Sequence, residues 1–205
     1  MYAAYDDWDE DWIFHTVDDT GATGMHTSIV VDSNDVPHIS YIDVTNGAVM
    51  YATLSESGWM IQTLDDTACP TPCTETSITA HGDEIHIAYH DTGQGSLKYA
   101  IWDVLEETWD METIDDGGGT SGNTVGSFSS LTIDDEGISF IIYYDSTSER
   151  AKFAYGTIGD WNIEYISDTG DKQGKHNSIT IDGDGVPNVV YYNENHEVLK
   201  YGKFG

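Results

Sequence analysis

One four-part motif recurs four times along the chain, and a chain that repeats itself folds as stacked copies of one unit. Four tryptophans open similar stretches: Trp12-Ile-Phe-His-Thr-Val-Asp-Asp, Trp59-Met-Ile-Gln-Thr-Leu-Asp-Asp, Trp109-Asp-Met-Glu-Thr-Ile-Asp-Asp and Trp161-Asn-Ile-Glu-Tyr-Ile-Ser-Asp, spaced by 47, 50 and 52 residues. A second element follows each Gly- or Thr-rich loop: Ser28-Ile-Val-Val-Asp32, Ser77-Ile-Thr-Ala-His81, Ser130-Leu-Thr-Ile-Asp134, Ser178-Ile-Thr-Ile-Asp182. The third is Pro37-His-Ile-Ser-Tyr-Ile-Asp43, Ile85-His-Ile-Ala-Tyr-His-Asp91, Ser139-Phe-Ile-Ile-Tyr-Tyr-Asp145, Pro187-Asn-Val-Val-Tyr-Tyr-Asn193. The fourth is Val49-Met-Tyr-Ala52, Leu97-Lys-Tyr-Ala100, Ala151-Lys-Phe-Ala154, Leu199-Lys-Tyr-Gly202.

Each element is short and rich in β-branched and aromatic residues, so it reads as a strand. Ser33-Asn34-Asp35, Gly82-Asp83, Asp135-Glu136-Gly137 and Gly183-Asp184-Gly185 link the second element to the third. Gly, Asn and Asp tolerate positive φ, which suits tight hairpins. No helical periodicity is visible. Four antiparallel strands per repeat predict an all-β, four-bladed β-propeller forming one domain over 1–205, because stacking blades buries the faces a lone meander exposes. Over residues 12–204 the pattern resembles the repeats of secreted, sialidase-like propellers rich in Trp and Tyr. That resemblance implies a fold and no single activity.

The strand count sharpens the expectation. Three blades run 28–64, 77–114 and 129–166, while the last, 178–204, lacks an outer strand. Segment 12–17 is an outer strand without a blade, and pairing it with the last blade would close the ring and remove exposed edges. One strand is then surplus: Met1-Tyr2-Ala3 matches Met50-Tyr51-Ala52, so Met1, Tyr2, Ala3, Ala4 and Tyr5 offer a free strand to another subunit. The alternatives are a frayed terminus or a hairpin with the Trp12 strand.

The Trp column (12, 59, 109, 161) and the Tyr column (41, 89, 143, 191) are expected to pack between blades. Trp8 and Trp102 lie outside the Trp column and are candidates for ligand contact. The Ser column (28, 77, 130, 178) is expected to tie neighbouring inner strands, since a nucleophile is one serine with one base. Two residues before each Ser the column varies: His26, Glu75, Phe128, His176. Two imidazoles and a carboxylate at a channel mouth suit a transition metal, against the alternative of rim residues bonded to backbone or water.

Carboxylates cluster where blades hand over, at Asp18, Asp19, Asp65, Asp66, Asp115 and Asp116, and in hairpins such as Asp182 and Asp184. Paired carboxylates suit calcium; the alternative is turn aspartates capping their own backbone. No motif requires a cofactor.

The chain carries 37 acidic and 7 basic residues, a net charge of −30. Such a surface cannot neutralise phosphates, so nucleic acid is excluded as a partner. No apolar run approaches the length of a membrane-spanning helix. The opening residues lack the basic and apolar regions of a signal peptide. Cys69 and Cys73, in Cys-Pro-Thr-Pro-Cys, point to a local disulfide and an extracellular or cell-surface setting, with two free thiols as the alternative. A sialidase needs an arginine cluster, and this chain has only Arg150; fucose-binding propellers also use arginine in each blade. The first expectation is therefore a non-enzymatic structural or adhesive module that assembles into an oligomer, polymer or filament. A glycan-binding lectin is the alternative, and a glycoside hydrolase comes third.

Overall fold

The computed structural model describes residues 1–6, 8, 10–68, 74–103, 107–119, 124–167, 170 and 172–204. Seventeen strands and no helix appear among them. A two-stranded hairpin comes first, β1 (Tyr2–Asp6) with β2 (Asp11–His15). Blade 1 is β3 (Thr23–Val31), β4 (Pro37–Asp43), β5 (Ala48–Ser55) and β6 (Gly58–Asp65). Blade 2 is β7 (Thr74–His81), β8 (Glu84–Asp91), β9 (Ser96–Asp103) and β10 (Thr108–Asp115). Blade 3 is β11 (Val125–Ile133), β12 (Ser139–Asp145), β13 (Arg150–Thr157) and β14 (Asp160–Tyr165). Blade 4 has three strands, β15 (Gln173–Ile181), β16 (Pro187–Asn193) and β17 (Val198–Lys203). Every pairing is antiparallel between consecutive strands.

Alternation along each strand decides what each blade buries. In blade 2, Ile78, Ile85, Ile87 and Tyr89 face blade 1 and meet Ile42, Val49 and Tyr51. Ala88, Leu97 and Tyr99 face the other way, against Ile141 and Tyr143 of blade 3. Phe140, Ile142 and Phe153 then meet Val189 and Tyr191 of blade 4. A second strand covered on both faces is buried throughout, as β12 is. β16, covered on one face, alternates between buried and half-buried. Fully burying one such Ile or Leu contributes about 1.5–3 kcal/mol.

The expected serine ties are present. Ser28 Oγ accepts from the Ile78 amide at 3.2 Å, Ser77 Oγ from Leu131 at 3.0 Å, and Ser130 Oγ from Ile179 at 3.3 Å. Each first strand is thereby stitched to the next in chain order.

The expected closure by the Trp12 strand is corrected. β2 pairs with β1, in the register Tyr2↔His15 to Asp6↔Asp11, and β17 pairs with β16 alone among the described strands. Residues 1–5 are accordingly no free strand. The nearest partner available to β2 in sequence is β1 across a short turn, and closing that loop costs less entropy than reaching the last blade. The match of Met1-Tyr2-Ala3 to Met50-Tyr51-Ala52 holds in register: Tyr5 faces Trp12 as Leu54 faces Trp59. The hairpin is thus the outer half of a blade, packing Tyr2 on Trp59 and covering part of Ile39, Tyr41 and Met50.

Candidate functional site

The two ends of the row hold most of the exposed chemistry. At the first end, the hairpin stands where the third and fourth strands of a preceding blade would, and no described strand takes the place of its first two. The result is a cleft of about 280 Å³, lined by Tyr2, Asp18, Thr23, Ser28, Ile29 and Tyr41 among others. Strand β2 is exposed along its length, including Trp12 and Phe14. Trp8 sits in the hairpin turn and is 93% exposed, its amide donating to Asp6 Oδ1 at 2.8 Å. Tyr5 and Trp12 meet edge to face at 5.7 Å on the same hairpin. Of the two ligand candidates, only Trp8 presents a bare ring. Trp102 packs on Trp109 at 5.4 Å, half-buried against the core between blades 1 and 2.

The hand-over carboxylates divide into two kinds. The first of each pair accepts from the tyrosine of the blade that follows: Asp18, at the open end, from Tyr41 Oη at 2.8 Å, and, wedged between two blades, Asp65 from Tyr89 Oη and Lys98 Nζ at 2.9 Å each and Asp115 from Tyr143 Oη at 2.6 Å and from Lys152 Nζ. Burial raises the Asp65 carboxyl, but the bonds from Lys98, Thr67 and Tyr89 outweigh it and hold it at about 2. The same carboxylates, with burial foremost, push the Tyr41, Tyr89 and Tyr143 phenols well above their ordinary value. Asp19, Asp66 and Asp116 are exposed. Asp182 accepts its own turn's amides, from Asp184 at 3.0 Å and Val186 at 3.1 Å, and Lys203 Nζ at 2.7 Å. The oxygens of Asp18, Asp65, Asp115 and Asp182 accept from hydroxyl, ammonium and amide donors, and no group of three metal-ligating side chains forms among the described residues.

His26, Glu75, Phe128 and His176 share a backbone role. All four have positive φ, between 39° and 55°, at the register shift of a first strand. Glu75 Oε2 accepts the Phe128 amide at 3.0 Å, and the Phe128 ring lies 4.8 Å from His176. The structure does not assemble His26, Glu75 and His176 as a ligand set. Sequence showed the column vary because a bulge fixes backbone and leaves the side chain free. Cys69 and Cys73 lie outside the described residues.

Sequence reading missed a pairing across the second and third strands. His38 Nδ1 lies 2.6 Å from Tyr51 Oη, His86 Nδ1 lies 2.5 Å from Tyr99 Oη, and Tyr201 Oη donates to Asn188 Oδ1 at 2.5 Å. In blade 3 both positions are Phe, and Phe140 stacks on Phe153 at 6.1 Å. The signal was legible: a hydrogen-bonding residue in one column accompanies Tyr in the other. Burial pulls the His86 imidazole down to about 4, with His81 adding to the shift. Arg150 is also committed: it lies 4.0 Å over the Tyr165 ring and donates to the Ser167 carbonyl.

No family model matches the chain, and no curated protein sequence matches it. Solved structures do resemble it. AofleA from Arthrobotrys oligospora is 15% identical with a TM-score of 0.61, over 87% of this chain and 53% of that one. Aleuria aurantia lectin, solved with α-methyl-L-fucoside, is 15% identical with a TM-score of 0.59, over 95% and 63%. NanB sialidase from Streptococcus pneumoniae is 15% identical with a TM-score of 0.58, over 86% and 30%. The likeness establishes a propeller-like fold of four-stranded antiparallel sheets. The chain spans less than two thirds of the length of each of these proteins.

Proposed function

We propose that this chain is a non-enzymatic, extracellular or cell-surface glycan-binding module. The observation that carries the reading is Trp8, an aromatic face almost fully open to solvent at the tip of a hairpin. The C–H face of a pyranose stacks on such a ring, and its hydroxyls donate to carboxylates. Asp6, Glu10 and Asp11 supply those acceptors on the same hairpin. An acidic rim of this kind favours a neutral sugar and repels a sialic acid carboxylate. The only arginine is tied to Tyr165 and Ser167, so no guanidinium is free to clamp an acidic substrate. The shared fold of Aleuria aurantia lectin, which was solved with a fucoside, supports a saccharide as the ligand class. No metal enters the reading, so binding should survive EDTA.

A glycan array followed by calorimetry tests it. Binding of a neutral glycan by the native chain, lost in Trp8→Ala with the circular dichroism spectrum unchanged, is the expected result. An array without hits, or a Trp8→Ala variant that binds as well as the native chain, refutes it.

The second reading is a structural or adhesive module that self-assembles. It is favoured by an outer strand, β2, exposed on both faces, and by the uncovered face of blade 4.

A further inference from the structure

Residues at one repeat position have opposite fates inside the row and at its ends. On the first strands, Ile78, Leu131 and Ile179 are buried under the preceding blade, while Ile29 is 54% exposed. On the third strands, Val49, Leu97 and Ala151 are fully buried under the following blade, while Leu199 is 74% exposed. Likewise Tyr51, Tyr99 and Phe153 are buried and Tyr201 is 66% exposed. The bare face of blade 4 is therefore the kind of surface that covers a first strand elsewhere, and the bare part of blade 1 is the kind that receives it.

The glycines show the same fit as a knob and an empty hole. A Cβ on Gly126 would meet the Leu97 backbone at 2.9 Å, and one on Gly174 would meet the Ala151 backbone at 2.6 Å. Gly24 holds the same place in blade 1, with φ +87°, and none of the described residues lies within 4 Å of a Cβ built there. Leu199 is the repeat counterpart of Leu97 and Ala151.

Two groups act as stand-ins. β1 repeats the register of a third strand, with Tyr2 on Trp59 at 5.2 Å as Tyr51 is on Trp109 at 4.9 Å and Tyr99 on Trp161 at 5.0 Å. Beside Phe153, where that series calls for a tryptophan from a fourth strand of blade 4, Phe204 lies at 5.3 Å. Among the described residues Trp12 is the tryptophan of the series that no ring of a neighbouring blade meets; it contacts Tyr5 of its own hairpin and is more than half exposed.

Charge points the same way. Residues 1–49 hold ten acidic side chains and no Lys or Arg. Residues 150–205 hold eight acidic and six basic ones, so this end alone is near neutral. On a chain of net charge −30, the approach of this end to the acidic first end meets far less repulsion than the approach of two first ends.

We infer that the bare face of blade 4 seats on the bare face of blade 1 in a second copy of this chain, with β17 entering where β1 now lies and pairing with β2. Leu199 fills the space at Gly24, Tyr201 replaces Tyr2 on Trp59, Trp12 replaces Phe204 on Phe153, and Ser178 accepts the Ile29 amide. The contact continues the blade-to-blade interface already repeated three times within the chain. It is head-to-tail, so it builds rings of two or more copies, or filaments, rather than a pair joined through one self-complementary patch. The inference rests on the assembly reading and uses none of the observations behind glycan binding, but it displaces β1 from the hairpin that carries Trp8, so the two states compete for that hairpin.

Light scattering of the 205-residue chain across salt is the first test, since high salt shortens the range of its self-repulsion. A mass at least twice 22.6 kDa is expected at about 1 M salt. Leu199→Asp should return it to monomer with an unchanged spectrum, and deletion of residues 1–5, which clears the place for β17, should lower the protein concentration at which association begins. Cross-linking then fixes the geometry in chains carrying Cys69→Ser and Cys73→Ser. The register of Thr53 with Met60 places residue 203 opposite residue 13. Mixing Lys203→Cys chains with Ile13→Cys chains should give a disulfide-linked pair. A monomer at every salt concentration overturns both this inference and the assembly reading. Association that neither Leu199→Asp nor the cross-link reports overturns the inference alone. An internal bond within a chain carrying both cysteines, in place of a bond between chains, also overturns it.

Discussion

Blade 2 and the outer blades carry the same motif, and their difference is one of coverage. In blade 2 the second strand is buried from Ile85 to Asp91, because blades 1 and 3 flank it. In blade 4 the equivalent strand is buried at every other residue, and β17 lies open to solvent. At the other end, a two-stranded hairpin half covers blade 1. A blade is thus only as stable as its neighbours make it, as in any repeat array where interfaces between units carry much of the free energy.

The sharpest way to break that comparison is at the hand-over carboxylates. Asp115→Ala should cost about 3–5 kcal/mol, because it strands Lys152 between two blades. Asp18→Ala, at the open end and partnered by Tyr41 and Thr20 rather than by an ammonium, should cost about 1 kcal/mol. Urea midpoints of the two variants check the ratio, and equal losses would mean that coverage does not set the cost.

The glycine column gives the next largest contrast. Gly174→Ala puts a methyl group into the Ala151 backbone at a strained φ and should cost about 3 kcal/mol. Gly24→Ala meets open space and should cost about 1–2 kcal/mol, for its positive φ alone. Association of a second copy would add a penalty at Gly24 that appears only in the assembled state.

Acid sharpens the comparison further. His86 is buried and held neutral, with its folded value near 4 against an ordinary 6.5. The unfolded chain takes up that proton first, so stability present above pH 6.5 falls as the pH drops toward 4, by about 3 kcal/mol. Asp65, held at about 2, adds a second loss as the pH falls from 3.8 toward 2. In blade 1, His38 is also lowered by burial, but Asp32 at 3.4 Å opposes the shift. Thermal melts between pH 7 and 4 should therefore respond more to His86→Asn than to His38→Asn. Asparagine keeps an acceptor for the tyrosine hydroxyl, as Asn188 does for Tyr201.

The smallest expected contrast is at single aliphatic positions distant from any ion pair. Ile78→Val should cost about 1 kcal/mol and Ile29→Val about 0.2 kcal/mol in the monomer, read from the same urea titrations.

The repeat, its strands and the Trp, Tyr and Ser columns were legible in sequence because periodicity is local and each column repeats the same physical demand. The aspartate pairs were legible as a pattern but not in their roles. Which carboxylate is wedged under a Tyr hydroxyl and a Lys ammonium depends on a residue some 24 to 37 positions away. Trp8 and Trp102 looked alike in sequence, yet only the packed structure puts one against Trp109 and leaves the other bare.

Sequence by itself determined that the chain is built of repeated β-sheets, and that β1 copies a third strand. It also determined that one arginine among 205 residues leaves little means of gripping an anion. Only the tertiary structure decided that β2 pairs with β1 instead of closing the last blade, because that choice sets a short turn against a long-range contact. It also decided that Ile29, Leu199 and Tyr201, whose repeat counterparts are buried, remain open to solvent, because burial depends on the next blade rather than on the residue itself.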